Sequence, residues 1–232
     1  MKVVIVGAGG HGVVVADILN CMQRAGTDVE LIAFVDDHVP PGVRDLCGVP
    51  VLSGGLRALS AIEHDAVVVA IGDNAVRRRM SEEIRRNGGV LVIARHPSSV
   101  VAADACVGVG TVICAGAVVN PAASVGCSAI LNTHSSIDHH NRIGDCAHIA
   151  PGVHLGGNVT VGDETLLGLG SIVLPGTRIG SRVVVGAGSV VLKDLPDGAV
   201  AYGVPARLRK AASPARGAAL GRPPRVIRVP TA

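Results

Sequence analysis

From Val101 to Pro196 the chain, written in sixes, reads VAADAC VGVGTV ICAGAV VNPAAS VGCSAI LNTHSS IDHHNR IGDCAH IAPGVH LGGNVT VGDETL LGLGSI VLPGTR IGSRVV VGAGSV VLKDLP. Every one of the sixteen blocks opens with Val, Ile or Leu, and eight of the openers are followed by Gly. The fifth place is Ala, Ser, Thr or Val in fourteen blocks. A strict period of six fits neither a helix nor a simple alternating strand; it predicts a parallel β-helix, each block being one short strand plus a turn. The aliphatic openers then stack inside, and the small fifth residue fits where the chain turns a corner.

Composition agrees. Phe34 and Tyr202 are the only aromatic residues and there is no Trp, so the core must be aliphatic, as stacked β-coils allow. The same lack argues against single-stranded nucleic acid, whose bases need aromatic platforms. The net charge of +3 hides an asymmetry. Seven basic residues and no acid follow Ala206, and without them 14 basic residues face 18 acidic ones, about −4 for the body. The stretch 211–232 is expected to be a basic, disordered, solvated tail, touching neither membrane nor nucleic acid. The six cysteines form no C-x-x-C pair and read as small fillers. No signal peptide precedes the first strand and no apolar run can span a bilayer, so the cytoplasm is the expected location.

Before the hexads the pattern is different. Val3–Val6, Leu31–Val35, Val67–Ile71 and Val90–Ala94 read as strands, and Val13–Met22 and Asn74–Asn87 as helices, the second capped by Asp73 and stopped at Gly88-Gly89. The alternation predicts a small Rossmann-like α/β domain over residues 1–96, ahead of the all-β helix at 101–196. His96-Pro97-Ser98-Ser99 marks the boundary. Residues 197–210 read as a C-terminal loop.

Gly7-Ala8-Gly9-Gly10-His11-Gly12, between a strand and a helix, matches the dinucleotide fingerprint, and Asp36 or Asp37 stands where a ribose-binding acid belongs. The helix N-terminus favours phosphate. About 95 residues is only half of a full dinucleotide-binding sheet, so a mononucleotide-type ligand is expected rather than NAD. A glycine turn that merely packs helix on strand is the competing account.

Five of nine histidines lie between positions 134 and 154: His134, His139, His140, His148 and His154. His139 and His140 hold the third and fourth places of one hexad, corner positions that should project outward. Asn141 follows in the fifth place, and a polar residue there breaks the packing rule beside two histidines, as functional sites tend to do. General-base catalysis needs one oriented imidazole at an accessible edge. A metal needs about three converging ligands. Surface corners that simply tolerate histidine are the third account.

Taken together, the hexads, the glycine loop, Phe34-Val35-Asp36-Asp37, Ala70-Ile71-Gly72-Asp73-Asn74, Asp138-His139, Ile143 to His148 and the ending Gly203-Val204-Pro205-Ala206-Arg207 give a resemblance. The chain resembles the bacterial hexapeptide-repeat sugar acyltransferases with an N-terminal nucleotide-sugar domain, of bacillosamine, perosamine and sialic acid type. That resemblance implies a left-handed β-helix, a homotrimer with active sites between subunits, and acetyl-CoA as co-substrate, with neither metal nor NAD. The acceptor it implies is a nucleotide-linked amino-deoxy sugar of surface-glycan biosynthesis. It makes His139 the general base, taking a proton from the attacking amine, with His140 beside it. His148, Leu169 and Ala187 match cofactor-contacting positions; Gly9, Gly10, His11, Asp36, Asp37 and Gly72 fall in the acceptor-binding stretches. Where the family carries Glu or Asp after the base, this chain has His140. Asp138, a neighbouring subunit's group or a weaker base is then expected to make up the difference. The alternatives are O-acetylation of a sialic-acid-like sugar, a metal hydratase of γ-carbonic-anhydrase kind using His134, His139 and His96, and a non-catalytic trimeric scaffold.

Overall fold

The computed structural model describes residues 1–39 and 42–210. The chain divides into two compact units, Met1–Pro97 and the part from Ser98 onward. The tail expected over 211–232 lies outside the described residues.

In the first unit β1 (Lys2–Val6) lies between β2 (Glu30–Asp36) and β5 (Ala66–Val69), all parallel. Val3 to Val6 and Ala66 to Val69 are buried throughout, because helices and loops cover a parallel sheet on both faces. A hairpin, β3 (Asp45–Leu46) and β4 (Val49–Ser53), extends the sheet to the order β3-β4-β2-β1-β5. Its two-residue turn, Cys47-Gly48, has φ of 53° and 83°, the left-handed pair of a hairpin turn usually signalled by Asn-Gly. Cys-Gly sends no such signal, and the sequence reading missed the hairpin. The strand expected at Val90–Ala94 is instead a single bridge of Leu91 to Val67 followed by the two-residue Ala94–Arg95.

Helix α1 runs Gly10–Arg24, three residues earlier than the apolar pattern announced, so Gly10, His11 and Gly12 form its first turn rather than a loop. Gly12 allows this: a Cβ there would collide with Gly7 O. Helix α2 (Asn74–Arg86) starts behind Asp73, whose Oδ1 accepts the Val76 N–H at 2.8 Å. It buries Arg77, Ser81 and Ile84, one face at i, i+4, i+7 spacing.

The second unit is a parallel β-helix. Sixteen two-residue strands each end on a hexad opener, from Val100–Val101 to Val190–Val191. They stack on three faces. Face I carries the strands ending at Val101, Val119, Ile137, Leu155, Val173 and Val191; face II those at Val107, Val125, Ile143, Val161 and Ile179; face III those at Ile113, Leu131, Ile149, Leu167 and Val185. The Cα partner of each strand residue is 18 positions away, as in Val119↔Ile137, so three hexads make one coil. Fifteen openers are buried, with Val101 of the first coil half-buried, and every fifth-place residue is buried too. The fourth place is left-handed in fourteen consecutive blocks, from Gly110 to Gly188, and eight of those residues are not glycine. An L-residue there costs about 1 kcal/mol; His134 and His140, at φ 55° and 60°, belong to a type that tolerates the conformation better than most.

The last coil is shortened: Leu195 bridges Ile179 and Val200 pairs with Val184, each 16 residues apart. Val200–Tyr202 then pairs antiparallel with Arg207–Lys210, and the Arg209 guanidinium lies 4.9 Å over the Tyr202 ring. The expected C-terminal loop is therefore a hairpin that covers one strand edge of the coil stack.

Asn141 corrects a further expectation. It does not break the coil. Its Oδ1 accepts the Val159 N–H at 2.7 Å, as Thr111 and Thr165 Oγ1 accept those of Ala129 and Val183. Each threonine also donates to a carbonyl, Gly126 O and Gly180 O, whereas Asn141 Nδ2 is buried without a partner among the described residues. An unsatisfied buried donor costs about 1–3 kcal/mol. Asn141→Thr, keeping the acceptor and removing the orphan amide, is expected to raise the melting temperature by about 2–4 °C in a calorimetric scan. A lower value would show that the amide has a partner after all.

Candidate active site

In the first unit three loops meet at the carboxyl edge of the sheet, the edge where open α/β sheets bind ligands. They are Gly7 to Gly9 after β1, Asp36 to His38 after β2, and Ala70 to Asp73 after β5. The two acids after β2 have different tasks. Asp36 Oδ2 accepts the Ala8 N–H at 2.7 Å and Oδ1 the His38 N–H at 2.8 Å, so this carboxylate ties one loop to the next. Asp37 is exposed and makes no hydrogen bond or ion pair among the described residues. It lies against Gly55, where a Cβ would collide with Oδ1 and stand 2.8 Å from Oδ2. The free acid of the pair is Asp37.

Glycine is needed at Gly7 and Gly12 by the chain itself, but not at Gly9, Gly10 or Gly72. Nothing lies within 4 Å of a Cβ at those three, and none has a left-handed backbone. What they leave is open room over the backbone, at a helix start with no side-chain cap and no acid in its first turn. Uncapped N–H groups and the helix dipole together suit a phosphate.

His11 and Arg77 stand behind this edge. Arg77 is fully buried and donates to Ile71 O at 2.7 Å, Gly72 O at 3.3 Å and Asn74 Oδ1 at 2.7 Å, fixing the third loop. The sequence reading missed it, although an arginine on the buried face of an amphipathic helix is a readable signal. His11 Nε2 is buried with no partner among the described residues. Burial first, and the Arg77 charge second, hold the His11 pKa down at about 4.

In the second unit the five histidines disperse. His134 sits at the corner between faces III and I, His139 and His140 at the corner between I and II, His148 on face III and His154 on face I. His154 Nδ1 is 2.8 Å from Ser136 Oγ, and His148 Nε2 is 3.2 Å from Asn132 Nδ2. His139 and His140 are both exposed, with Nδ1 atoms 3.1 Å apart and rings edge to face at 85°. Two Nδ1 atoms at that distance share one proton between them. Asp138 is not the missing acid: its Oδ1 accepts the His139 backbone N–H at 2.7 Å and Asn120 Nδ2 at 3.0 Å. Leu169 and Ala187 are exposed third-place residues, one above the other at the corner between faces III and I. Face I separates that ridge from the His139 corner.

His134 and His139 lie on different corners of the coil stack, so a single chain does not bring them together on one metal. Among the described residues the group able to hold a metal is Asp17, Cys21 and His96, with ligand atoms within 4.8 Å of one another. Arg24 Nη2 already lies 3.1 Å from Cys21 Sγ and 3.9 Å from Asp17 Oδ1, placing a positive charge where a cation would have to sit. Burial pushes the Cys114 thiol up to about 12, against a smaller opposing effect of the Thr133 backbone, so it offers no thiolate at neutral pH.

Comparison with known proteins agrees with this architecture. The PglD N-terminal domain matches residues 2–84, and the hexapeptide repeat of succinyl-transferase matches residues 158–193. GDP-perosamine N-acetyltransferase of Escherichia coli O157:H7 is 32% identical over 214 residues, which cover 89% of this chain and 95% of that protein. The chain belongs to the hexapeptide-repeat sugar N-acetyltransferases. Its left-handed β-helix behind an α/β domain is the fold of solved relatives. One is a histidine-to-alanine variant of GDP-perosamine N-acetyltransferase from Caulobacter crescentus, in complex with CoA and GDP-perosamine. It superposes with a TM-score of 0.82 at 37% identity, over 91% of this chain and 98% of that one. The acetyltransferase domain of PglB from Neisseria gonorrhoeae, in complex with acetyl coenzyme A, gives 0.82 at 34% identity, over 89% and 98%.

The His11 environment leads to a pH dependence. With a folded pKa near 4 against 6.5 in the unfolded chain, neutral burial of His11 stabilises the fold above pH 6.5. That share is lost as the pH falls from 6.5 toward 4, because the unfolded chain takes up the proton first. His11→Gln is expected to flatten the fall of melting temperature across this window relative to the wild type. Parallel curves would contradict the assignment.

Proposed function

We propose that the protein is an acetyl-CoA-dependent N-acetyltransferase acting on the amino group of a nucleotide-linked amino-deoxy sugar, of the kind built into surface glycans, with His139 as general base. The observation that carries this reading is the His139–His140 pair at an exposed corner of the coils. One imidazole donates its Nδ1 proton to the other, which leaves its own Nε2 with a lone pair. His139 takes the proton of the sugar amine as the nitrogen attacks the thioester carbonyl. The C–S bond then breaks and CoA leaves as the thiolate. A thioester needs no covalent enzyme intermediate, so a positioned base and donors for the oxyanion suffice.

In this reading the first unit binds the nucleotide. Gly9, Gly10 and Gly72 supply room and backbone N–H groups for the diphosphate. His11 offers a neutral imidazole, Asp37 a carboxylate for sugar or base hydroxyl and amino groups, and Asp36 holds the loops in place. His148, Leu169 and Ala187 bind the acetyl-CoA. Because the Leu169–Ala187 ridge and His139 occupy different corners of one coil stack, we assign the working form as a homotrimer, in which one chain's ridge serves another chain's base. The relatives' names favour N- over O-acetylation, and acetyl-CoA as co-substrate supports a cytoplasmic reaction.

His139→Ala is expected to lower kcat by about 10²–10⁴-fold while leaving the oligomer intact by sedimentation; wild-type turnover in that variant would sink the base assignment. Asp37→Asn is expected to raise the KM for the nucleotide-sugar by about tenfold, the effect of one lost charged hydrogen bond, with the KM for acetyl-CoA unchanged. Equal effects on both would count against a nucleotide site in the first unit.

A further inference from the structure

Gly157 is the third-place residue one coil beyond His139, and its neighbour Asn158 donates its N–H to His139 O at 3.0 Å. It is buried. Across the sixteen hexads the third place is glycine only here; Pro121, Pro175 and Lys193 hold it at the same corner, and Cys127, Asp145 and Leu169 elsewhere. The repeat therefore accepts a side chain at this place. Nor does the backbone ask for glycine, since Gly157 is outside the left-handed region. What excludes a side chain is the His139 ring. A Cβ at 157 would lie 2.5 Å from Nε2, 3.0 Å from Nδ1 and closer still to Cε1. The imidazole rests on Gly157.

The second restraint comes from His140. Its fourth-place backbone is left-handed, at φ 60°, and this brings its Nδ1 to 3.1 Å from that of His139 with the rings at 85°. For His139 Nε2 to act as base, His139 Nδ1 must carry the proton and His140 Nδ1 must accept it.

We infer that Gly157 and His140 are positioning residues for His139: Gly157 is the floor that sets the plane of the ring, and His140 is the acceptor that sets its tautomer. The inference rests on His139 being the base. A residue lifted by a methyl group moves by an ångström or more, and displacements of that size cost about 10²-fold in rate. A neutral acceptor keeps the orientation without placing a negative charge beside the ring.

The test uses the full chain with acetyl-CoA and a GDP- or UDP-linked 4-amino-4,6-dideoxy sugar. Gly157→Ala is expected to lower kcat by tenfold or more, with both KM values within twofold and an unchanged melting temperature. In the His139→Ala background, where no ring is present to collide with, the same substitution is expected to change neither residual rate nor melting temperature. His140→Gly keeps the left-handed backbone but removes the acceptor, and is expected to lose tenfold or more in kcat. His140→Asn restores an acceptor oxygen at a position asparagine tolerates, and is expected to recover most of that loss. A Gly157→Ala enzyme within twofold of wild-type kcat overturns the floor, as does an equal fractional loss with and without the His139 ring. Equal rates for His140→Gly and His140→Asn overturn the acceptor role. Wild-type turnover in His139→Ala is a different result, and it overturns the base itself.

Discussion

Coil-to-coil hydrogen bonding in the β-helix places each residue above the one 18 positions later, and the chemistry of the second unit follows from that constraint. It stacks His139 over Gly157, brings Asn120 Nδ2 to Asp138 Oδ1, and sets Ser136 against His154. It also lets one coil's side chain satisfy the next coil's backbone, as Thr111, Asn141 and Thr165 do. Side chains at the corners have few choices of neighbour, since the partners above and below are set by the count along the chain.

The three corners carry different chemistry. One bears the exposed Leu169–Ala187 ridge, one the histidine pair, and one an aspartate ladder in which Asp145 Oδ1 accepts from Cys127 N and Asp163 Oδ1 from Asp145 N. The ladder satisfies backbone N–H groups along its edge and is structural. In the proposed trimer, acetyl-CoA lying along the first corner of one chain would meet the histidine pair on the second corner of another. In the α/β unit, by contrast, the groups proposed to bind the nucleotide come from three loops at one sheet edge, and Asp36 and Arg77 hold those loops.

Much of this was legible in the sequence. The hexads picked out the aliphatic residue that ends each of the sixteen short strands from Val101 to Val191, because the opener must point inward whatever its neighbours do. The glycine loop and the acids after β2 located the sheet edge. What the sequence concealed was hydrogen bonding. Asn141 looked like a defect and proved to be a backbone acceptor. Asp36 and Asp37 looked equivalent, and only coordinates separated the one spent on Ala8 and His38 from the one left free. The five histidines looked like one cluster because they are close in sequence; a period of six scatters such neighbours over separate corners and faces. Gly157 was within reach, since writing the chain in rows of eighteen puts it directly under His139.

The 18-residue coil has a consequence for how such chains change length. An insertion or deletion of six residues at a corner would keep every strand's inward opener intact, so the fold would survive it. It would also turn everything downstream by a third of a revolution, carrying one edge's chemistry to another edge. Only gains or losses of whole coils, as between Val119 and Ile137, keep His139, Leu169 and Ala187 on their own edges. Homologues of different length are therefore expected to differ in steps of eighteen between these landmarks, and chains that differ by six to have parted with the activity while keeping the shape.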